Sequence, residues 1–213
     1  MKEKEKYFLE DLLNRYPSLK GCENDIESAF NLMADIFQAG GKMLVCGNGG
    51  SAADSEHFVG ELVKSFIKRR GLPPEEKSKF DSFGEDGKYI ASKLQGALPA
   101  ISISFLTVFG TAYINRFDPD LVFAQQVYGL GNAGDLLFVF TASGNSDNIY
   151  DAAITAKAKG MKVIALTGES SGRVGEYCDV IIKVPAFLSS VVQEYYLPVY
   201  HTLSYMLEEH FFE

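Results

Sequence analysis

Polar side chains suited to proton transfer or hydrogen bonding occur in pairs in two segments with helical periodicity. His57 and Glu61 are one helical turn apart, and Gln193 and His201 fall within ~80° of each other on a later helix. Imidazole and carboxylate groups can transfer protons near neutral pH. The first pair is either a solvated ion pair or part of a cleft that another element or subunit completes. The second pair requires buried partners, and its structural alternative is a hydrogen-bonded core histidine.

The helix that carries His57 and Glu61 is predicted to be amphipathic. At ~100° per residue its apolar side chains share one side. They are Phe58, Val59, Leu62, Val63 and Phe66. Because His57 and Glu61 lie on the opposite side, we expect them to point away from the core of their own subunit.

A glycine-rich turn precedes this helix and follows a short apolar strand at Lys42 to Cys46. The turn consists of Gly47, Asn48, Gly49, Gly50 and Ser51. Its glycines permit positive φ and close backbone approach, and Ser51 with Asp54 predicts a capping box at the helix start. Free N–H groups and the helix dipole favour an anion such as phosphate there. A strand-to-helix turn without a ligand is the alternative.

The glycine spacing matches neither of the common nucleotide-binding patterns. The dinucleotide fingerprint needs a third glycine three residues after the second, and the P-loop ends in Gly-Lys-Ser or Gly-Lys-Thr. We therefore expect no nucleotide cofactor.

A second small polar loop follows a buried strand and leads directly into a helix that ends at Gly160. Its hydroxyl groups belong to Thr141, Ser143 and Ser146. Together with several backbone N–H groups, and without a cationic side chain, they suit a sugar phosphate held by dipoles. A turn that only caps the helix is the alternative.

Strands alternate with helices along the chain, which predicts the α/β fold class with a doubly wound parallel sheet. A helical hairpin over residues 1–40 precedes the sheet. In such sheets ligands bind beyond the carboxyl ends of the strands, where both polar loops lie. The five strands are expected at residues 42–46, 100–104, 136–141, 162–167 and 179–184.

A polar segment over residues 69–98 interrupts this alternation. It is rich in glycine, proline and charge, and we interpret it as an insertion that forms a long crossover or lid. A short helix is expected within it near Tyr89 to Leu94, and another helix follows at about Leu121 to Leu130.

The last helix is apolar on nearly all sides, which is typical of a helix buried partly between subunits. Ser189 or Ser190 is expected to cap it, and it should reach about Phe211. Pro198 in its interior should kink it.

Length and composition favour a single globular domain over residues 1–213. The net charge of −8 disfavours binding to nucleic acid, and we interpret the basic run 68–70 as a solvated helix end. No segment is long enough to span a membrane, and no signal peptide is recognisable. Cys22, Cys46 and Cys178 are predicted to be core thiols in a reducing cytoplasm.

The motifs together resemble those of the sugar isomerase (SIS) domain family, and most closely the phosphoheptose isomerases. They are Gly47 to Asp54 with His57 and Glu61, then Ser143 to Ser146, then Gln193 and Glu194 with His201. The resemblance covers nearly the whole chain. It implies aldose–ketose isomerisation of sedoheptulose 7-phosphate to D-glycero-D-manno-heptose 7-phosphate, in a homotetramer with active sites between subunits.

The resemblance also implies roles for individual residues. Glu61 and His201 match the family's acid/base pair, and in some members the equivalents of His57, Glu61, Gln193 and His201 hold a zinc ion. The substrate-binding positions are Asn48, Gly49, Gly50, Ser51, Thr141, Ser143, Ser146 and Gln193. Two imidazoles, a carboxylate and an amide oxygen are plausible ligands for Zn²⁺, although an amide is uncommon.

Three positions depart from the phosphoheptose isomerase pattern. Ser104-Phe105 stands where an acidic residue is usual, Ser65 replaces an arginine, and Ser190 replaces an aspartate. These positions contact sugar hydroxyls in the family, so the departures concern the substrate more than the reaction type.

A non-catalytic SIS module is the competing hypothesis. Such a module would bind a sugar phosphate or a protein partner, like the relative that associates with the bacterial replication initiator. That relative lacks the glutamate and histidine found here at Glu61 and His201, so their presence favours an enzyme.

Overall fold

The computed structural model describes residues 2–104 and 106–212, and a five-stranded parallel sheet lies at its centre. Its strands are β1 (Met43–Gly47), β2 (Ala100–Ser102), β3 (Leu136–Thr141), β4 (Lys162–Thr167) and β5 (Val180–Lys183). They run in the order β2-β1-β3-β4-β5. The predicted α/β class and the predicted strands are confirmed, with shorter outer strands than expected because edge pairing ends earlier there.

Helices cover both faces of the sheet. They are α1 (Glu3–Arg15), α2 (Glu23–Gln38), α3 (Gly50–Val63), α4 (Pro74–Ser78), α5 (Gly84–Lys93), α6 (Thr107–Arg116), α7 (Val122–Leu130), α8 (Asp147–Ala158) and α9 (Ser189–Phe211). The sequence did not predict α6. None of its residues is buried, so it lacks the apolar periodicity by which a helix is recognised.

The strands divide their side chains between two apolar cores. Val45, Phe138 and Phe140 face α1, α2, α3 and α9 on one side of the sheet. Cys46 and Val139 face α7 and α8 on the other. This alternation is the expected consequence of the strand period of two, and full burial on both faces explains the continuous apolar runs.

The two ends of the polar segment between α3 and β2 are hydrogen-bonded to each other. Gly71 forms an isolated antiparallel bridge with Gln95, and the N–H of Gly96 donates to the carbonyl of Arg70 at 2.6 Å. Between these ends lie α4 and α5. Helix α5 corresponds to the predicted short helix and is longer than expected, because it begins at Gly84. The φ of Gly84 is +64°, and this conformation makes the turn that leads into the helix.

A buried ion pair connects the segment that follows α3 with α9. Arg70 Nε lies 2.6 Å from Glu208 Oε1, and both side chains are fully buried. Arg70 also donates to the carbonyls of Glu61 and Leu62 at the end of α3. The interpretation of residues 68–70 as a solvated helix end is thus wrong for Arg70, because its guanidinium satisfies carbonyl groups that α3 leaves unpaired.

Glu208 is satisfied by backbone as well as by Arg70. Its carboxylate accepts hydrogen bonds from the N–H groups of Phe66, Ile67 and Lys68. Burial raises the pKa of Glu208, but these hydrogen bonds together with Arg70 outweigh it and hold the pKa below the ordinary value of 4.5. The carboxylate is therefore ionised in the folded protein at neutral pH.

Within the described ranges, no helix combines the length and the apolar character that crossing a membrane would require.

We expect Arg70→Met to destabilise the protein by about 3–5 kcal/mol, because it leaves the Glu208 charge buried without its partner. Urea unfolding would measure this, with Arg69→Met as the control since Arg69 is exposed. Because the pKa of Glu208 is lowered, its contribution is present above pH 4.5 and is lost as the pH falls. Equal midpoints for the two variants would contradict the assignment.

Candidate active site

The turn between β1 and α3 is shaped by two glycines. Gly49 has a φ of +57°, and a Cβ on Gly47 would lie 2.6 Å from the carbonyl oxygen of Ser51. Helix α3 begins at Gly50 with Gly49 as its cap residue. The predicted capping box of Ser51 and Asp54 is therefore wrong, because the positive φ at Gly49 starts the helix before Ser51 is reached.

The two polar loops meet at the carboxyl edge of the sheet. Asn48 in the first loop and Asn148 in the first turn of α8 exchange two side-chain amide hydrogen bonds of 2.9 and 3.0 Å. Beside them is a cavity of about 160 Å³. Its lining includes the predicted phosphate contacts Asn48, Ser51, Thr141, Ser143 and Ser146, and also Gln193 and Ser189.

This cavity offers hydroxyl groups and helix N-termini rather than cations. Ser51 and Thr141 are buried, and α3 and α8 both begin beside the cavity. None of the described residues that line it is cationic, as the sequence predicted. Thr141 Oγ1 accepts a hydrogen bond from the N–H of Gly144, and Ser143 Oγ accepts one from Asn145. The conformation of the loop is thus held by its own hydroxyls.

Gln193 belongs to this cavity. Its Nε2 lies 3.5 Å from Ser51 Oγ, and a Cβ on Gly50 would lie 2.8 Å from its Oε1. Glycine at position 50 therefore makes room for the amide. His201 follows two turns later on α9, ~12 Å along the helix axis, and lies in a different group of side chains.

His57, Glu61 and His201 form that second group, where α3 packs against α9. His57 Nε2 lies 3.2 Å from Glu61 Oε1, and the rings of His57 and His201 are 5.0 Å apart between centroids. Lys64 Nζ lies 2.7 Å from the other carboxylate oxygen of Glu61. The sequence analysis did not identify Lys64, although its i,i+3 spacing from Glu61 could have indicated the contact.

Glu61 is buried within its own subunit, contrary to expectation. Its side chain is 8% exposed, whereas that of His57 is 46% exposed. Phe58 and Leu62 are buried as predicted, but Val63 is 44% exposed. The helical pattern could not anticipate that α9 covers the side of α3 that carries Glu61.

Phe66 also departs from the predicted helix. It lies beyond the end of α3, and its ring contacts that of His201 at 5.1 Å between centroids.

Burial decides the charge state of His201. It lowers the pKa of the imidazole below the ordinary value of 6.5, and the neighbouring His57 lowers it further. His201 Nε2 is buried and has no hydrogen-bond partner among the described residues. A neutral imidazole with an unpaired nitrogen is available to exchange a proton with a bound molecule.

Tyr200 and Asp54 complete the surroundings of His57. Tyr200 Oη lies 2.9 Å from His57 Nδ1 and 3.5 Å from Asp54 Oδ1. Burial raises the pKa of the Tyr200 hydroxyl, and the nearby Asp54 charge raises it further. Burial also raises the pKa of Asp54. The Tyr200 hydroxyl therefore keeps its proton at neutral pH.

Three of the four predicted zinc ligands lie together, and the fourth is turned away from them. His57, Glu61 and His201 are close together, but Gln193 is turned towards Ser51 and the ammonium of Lys64 contacts Glu61. Across residues 2–104 and 106–212, no three His, Cys, Asp or Glu side chains are arranged to hold a metal ion. Zinc coordination by all four residues would require Gln193 to turn from Ser51 and Lys64 to leave Glu61.

Comparison with known families identifies the fold that carries this site. The SIS domain family matches residues 8–95 and 96–168. The chain belongs to the SIS domain family. The resemblance noted from the motifs is thereby confirmed.

Similar SIS-domain proteins are found among both sequences and structures. The chain is 36% identical to the phosphoheptose isomerase of Glaesserella parasuis serovar 5 over 201 residues, which are 94% of this chain and 89% of that protein. Identity to the Vibrio cholerae phosphoheptose isomerase is also 36% over 201 residues, covering 93% and 91%. A Francisella tularensis phosphoheptose isomerase structure is similar with a TM-score of 0.72 at 29% identity, covering 98% and 100% of the two chains.

The serines at two departures from the family pattern have structural contacts. Ser104 Oγ accepts a hydrogen bond from the N–H of Gly47 and lies 3.1 Å from the carbonyl oxygen of Gly47. These contacts connect the segment after β2 with the end of β1, where the glycine-rich turn begins. Ser65 Oγ accepts from the N–H of Arg70. Ser190 is exposed on α9. Phe105 lies outside the described residues.

We expect His201 to titrate below pH 6.5 in an NMR pH titration of the folded protein, assigned with a His201→Asn variant. Because the pKa is lowered in the folded state, protonation of His201 at low pH favours the unfolded chain. A midpoint above 6.5 for the resonance missing in the variant would show that the imidazole is not desolvated as described.

Proposed function

We propose that this SIS-domain protein is an aldose–ketose isomerase that converts sedoheptulose 7-phosphate into D-glycero-D-manno-heptose 7-phosphate. The support from relatives is the 36% identity to phosphoheptose isomerases over almost the whole chain. The observation that carries the proposal is that α3 and α9, which pack together, carry both the neutral, hydroxyl-lined cavity and, farther along the two helices, the pair of Glu61 and His201. Such a pair can move protons on a sugar that the cavity holds by its phosphate.

The reaction moves one proton between adjacent carbons through an enediol. Glu61 removes the proton from the carbon next to the carbonyl and returns it to the former carbonyl carbon. His201 gives a proton to the carbonyl oxygen and takes one from the neighbouring hydroxyl. Both groups end in their starting states, so the balance is closed without a cofactor.

The substrate phosphate occupies the cavity between the two loops. It accepts hydrogen bonds from Ser51, Thr141, Ser143 and Ser146, while the N-termini of α3 and α8 supply partial positive charge. Ser51 and Glu61 are separated by ~15 Å along α3, and helical side chains lean towards the N-terminus. The distance that is left between the phosphate cavity and the Glu61 carboxylate suits a sugar phosphate of several carbons better than a triose phosphate.

The active sites lie between subunits of a homotetramer. An open groove of about 760 Å³ runs beside His57, lined in part by Ala53, Gly60, Val63 and Ile101. The edge of β2 is exposed there, with Ile101 38% exposed. A second copy would cover this edge and the open side of His57. Light scattering of the eluted peak in size-exclusion chromatography measures the number of subunits.

The proposal includes three further predictions. The chain forms one SIS domain over residues 1–213, with the 1–40 hairpin and the 69–98 insertion as parts of it. It works in the cytoplasm. Zinc binding by His57, Glu61, Gln193 and His201 would require Lys64 to leave Glu61 and Gln193 to turn from Ser51, and metal analysis of the purified protein tests it.

We expect Glu61→Gln to lower kcat by roughly 10²–10⁴-fold, because the amide cannot take the carbon-bound proton. The assay follows conversion of sedoheptulose 7-phosphate into the aldose. Glu85→Gln is the control, since the side chain of Glu85 is 89% exposed on α5. Near-native turnover of Glu61→Gln would refute the role of Glu61, and no turnover by the wild-type protein on any ketose phosphate would favour the non-catalytic module.

We expect Ser143→Ala to raise KM by roughly tenfold or more while kcat changes little, because a hydrogen bond to a charged phosphate contributes about 1.5–3 kcal/mol. Ser78→Ala, on exposed α4, is the control. Steady-state kinetics separate the two parameters. A fall in kcat with unchanged KM would place Ser143 outside the phosphate cradle.

A further inference from the structure

The loop that follows β4 packs directly on the second polar loop. A Cβ on Gly144 would overlap the carbonyl group of Ser171, so the two backbones are in close contact. The N–H of Arg173 donates to Asn145 Oδ1 at 3.1 Å, and the N–H of Val174 donates to the carbonyl of Gly144 at 3.0 Å. The backbone of Arg173 is therefore held beside the loop that carries the hydroxyls of the proposed phosphate cavity.

The side chain of Arg173 has two partners on α8. Its Nη2 forms an ion pair with Asp147 Oδ1, and its guanidinium carbon lies 4.3 Å from the centroid of the Tyr150 ring. The Tyr150 ring contacts that of Tyr177 edge to face, at 5.5 Å between centroids. A carboxylate and an aromatic face thus orient the guanidinium. Arg173 itself does not line the cavity.

Asp147 lies at a position where an unpaired carboxylate would oppose phosphate binding. It is the first residue of α8 and directly follows Ser146, which lines the cavity. Its side chain is 63% exposed. A carboxylate and a phosphate at the same helix N-terminus are attracted to the same positive end of the dipole and repel each other. The described residues that line the cavity are uncharged, so they cannot balance this repulsion.

We propose that Arg173 is a positioning residue of the phosphate cavity, which holds the Asp147 carboxylate and cancels its charge so that a phosphate dianion binds beside it. This inference rests on the proposed function for the presence of a phosphate in that cavity. The pair of Arg173 and Asp147 has no net charge. The ligand is then bound by the hydroxyls and the helix N-termini, without a competing anion at the start of α8.

A direct contact between Arg173 and the phosphate is the alternative. The structure disfavours it, because the guanidinium is already engaged by Asp147 and by the Tyr150 ring. A role in folding stability is also disfavoured, since the side chains of Arg173 and Asp147 are 42% and 63% exposed and exposed ion pairs contribute little. The three roles predict different results for variants of the two residues.

The first test measures binding of inorganic phosphate to the purified protein by isothermal titration calorimetry at low ionic strength. We expect Arg173→Gln to weaken binding roughly threefold to tenfold, because the Asp147 charge is then left beside the ligand. Arg173→Lys keeps the positive charge and should bind phosphate as the wild type does. Lys157→Gln is the matched control, since it removes a cation that pairs with Asp179 at the other end of α8.

A double variant distinguishes the neutralising role from a direct contact. Asp147→Asn alone should tighten phosphate binding, and Arg173→Gln combined with Asp147→Asn should return it to near the wild-type value, because the pair is removed without a change in net charge. A double variant that binds as weakly as Arg173→Gln would overturn the proposal in favour of a direct contact.

Salt dependence distinguishes the neutralising role from a structural one. The differences between the variants should shrink as the ionic strength rises towards 1 M, where charges are screened beyond ~3 Å. A loss of binding in Arg173→Gln that is independent of salt, or that accompanies a lower midpoint of thermal unfolding, would show that the loop itself is disturbed and would overturn the proposal.

Kinetics on sedoheptulose 7-phosphate separate this inference from the proposed function. We expect KM of Arg173→Gln to rise with little change in kcat, and Asp147→Asn to restore it. If the wild type binds phosphate and the variants follow the predicted pattern, but no ketose phosphate is isomerised, the proposed function fails while this inference stands. A wild-type protein that binds no inorganic phosphate at low ionic strength would overturn the inference whatever its activity.

Discussion

The packing of α9 against α3 is the contact on which the active site depends. Glu61 lies on α3 and His201 on α9, so any change in the register of the two helices would separate the two residues of the proposed acid/base pair. The buried Arg70–Glu208 pair fixes that register, since Arg70 binds the last carbonyls of α3 while Glu208 is part of α9. A buried ion pair that is fully hydrogen-bonded gives little net stability, but it penalises alternative arrangements strongly.

The same pair of helices also connects the two halves of the site. The proposed phosphate cavity lies at the N-terminal ends of both helices, away from Glu61 and His201. Ser51 is near the start of α3 and Gln193 is near the start of α9. Rigid helices thereby fix the distance between the anion cradle and the proton-transfer groups. A substrate anchored by its phosphate would present its reacting carbons at one place, which is how positioning lowers an activation barrier.

The charge distribution differs between these halves. The phosphate cavity relies on hydroxyls and helix N-termini, whereas Lys64 places a cation on Glu61 at the chemical end. The serines at 65 and 104 are engaged with the backbone of Arg70 and Gly47 rather than free for a ligand.

The α/β class, the parallel sheet and the two polar loops could be predicted from the amino-acid sequence, because strand burial, helix periodicity and glycine turns are local properties. It also indicated Glu61 and His201 through the family resemblance. Helix α6 escaped detection because it buries no residue. The capping box at Ser51 was mispredicted because one positive φ at Gly49 moved the helix start.

Which polar groups contact each other could be read only from the fold. Arg70 and Glu208 are 138 residues apart, and Tyr200 and His57 are 143 apart, so no local pattern could pair them. The burial of Glu61 and of Arg70 follows from how α9 lies on α3. Long-range packing, rather than residue type, sets burial and partners, and those set the chemistry of the site.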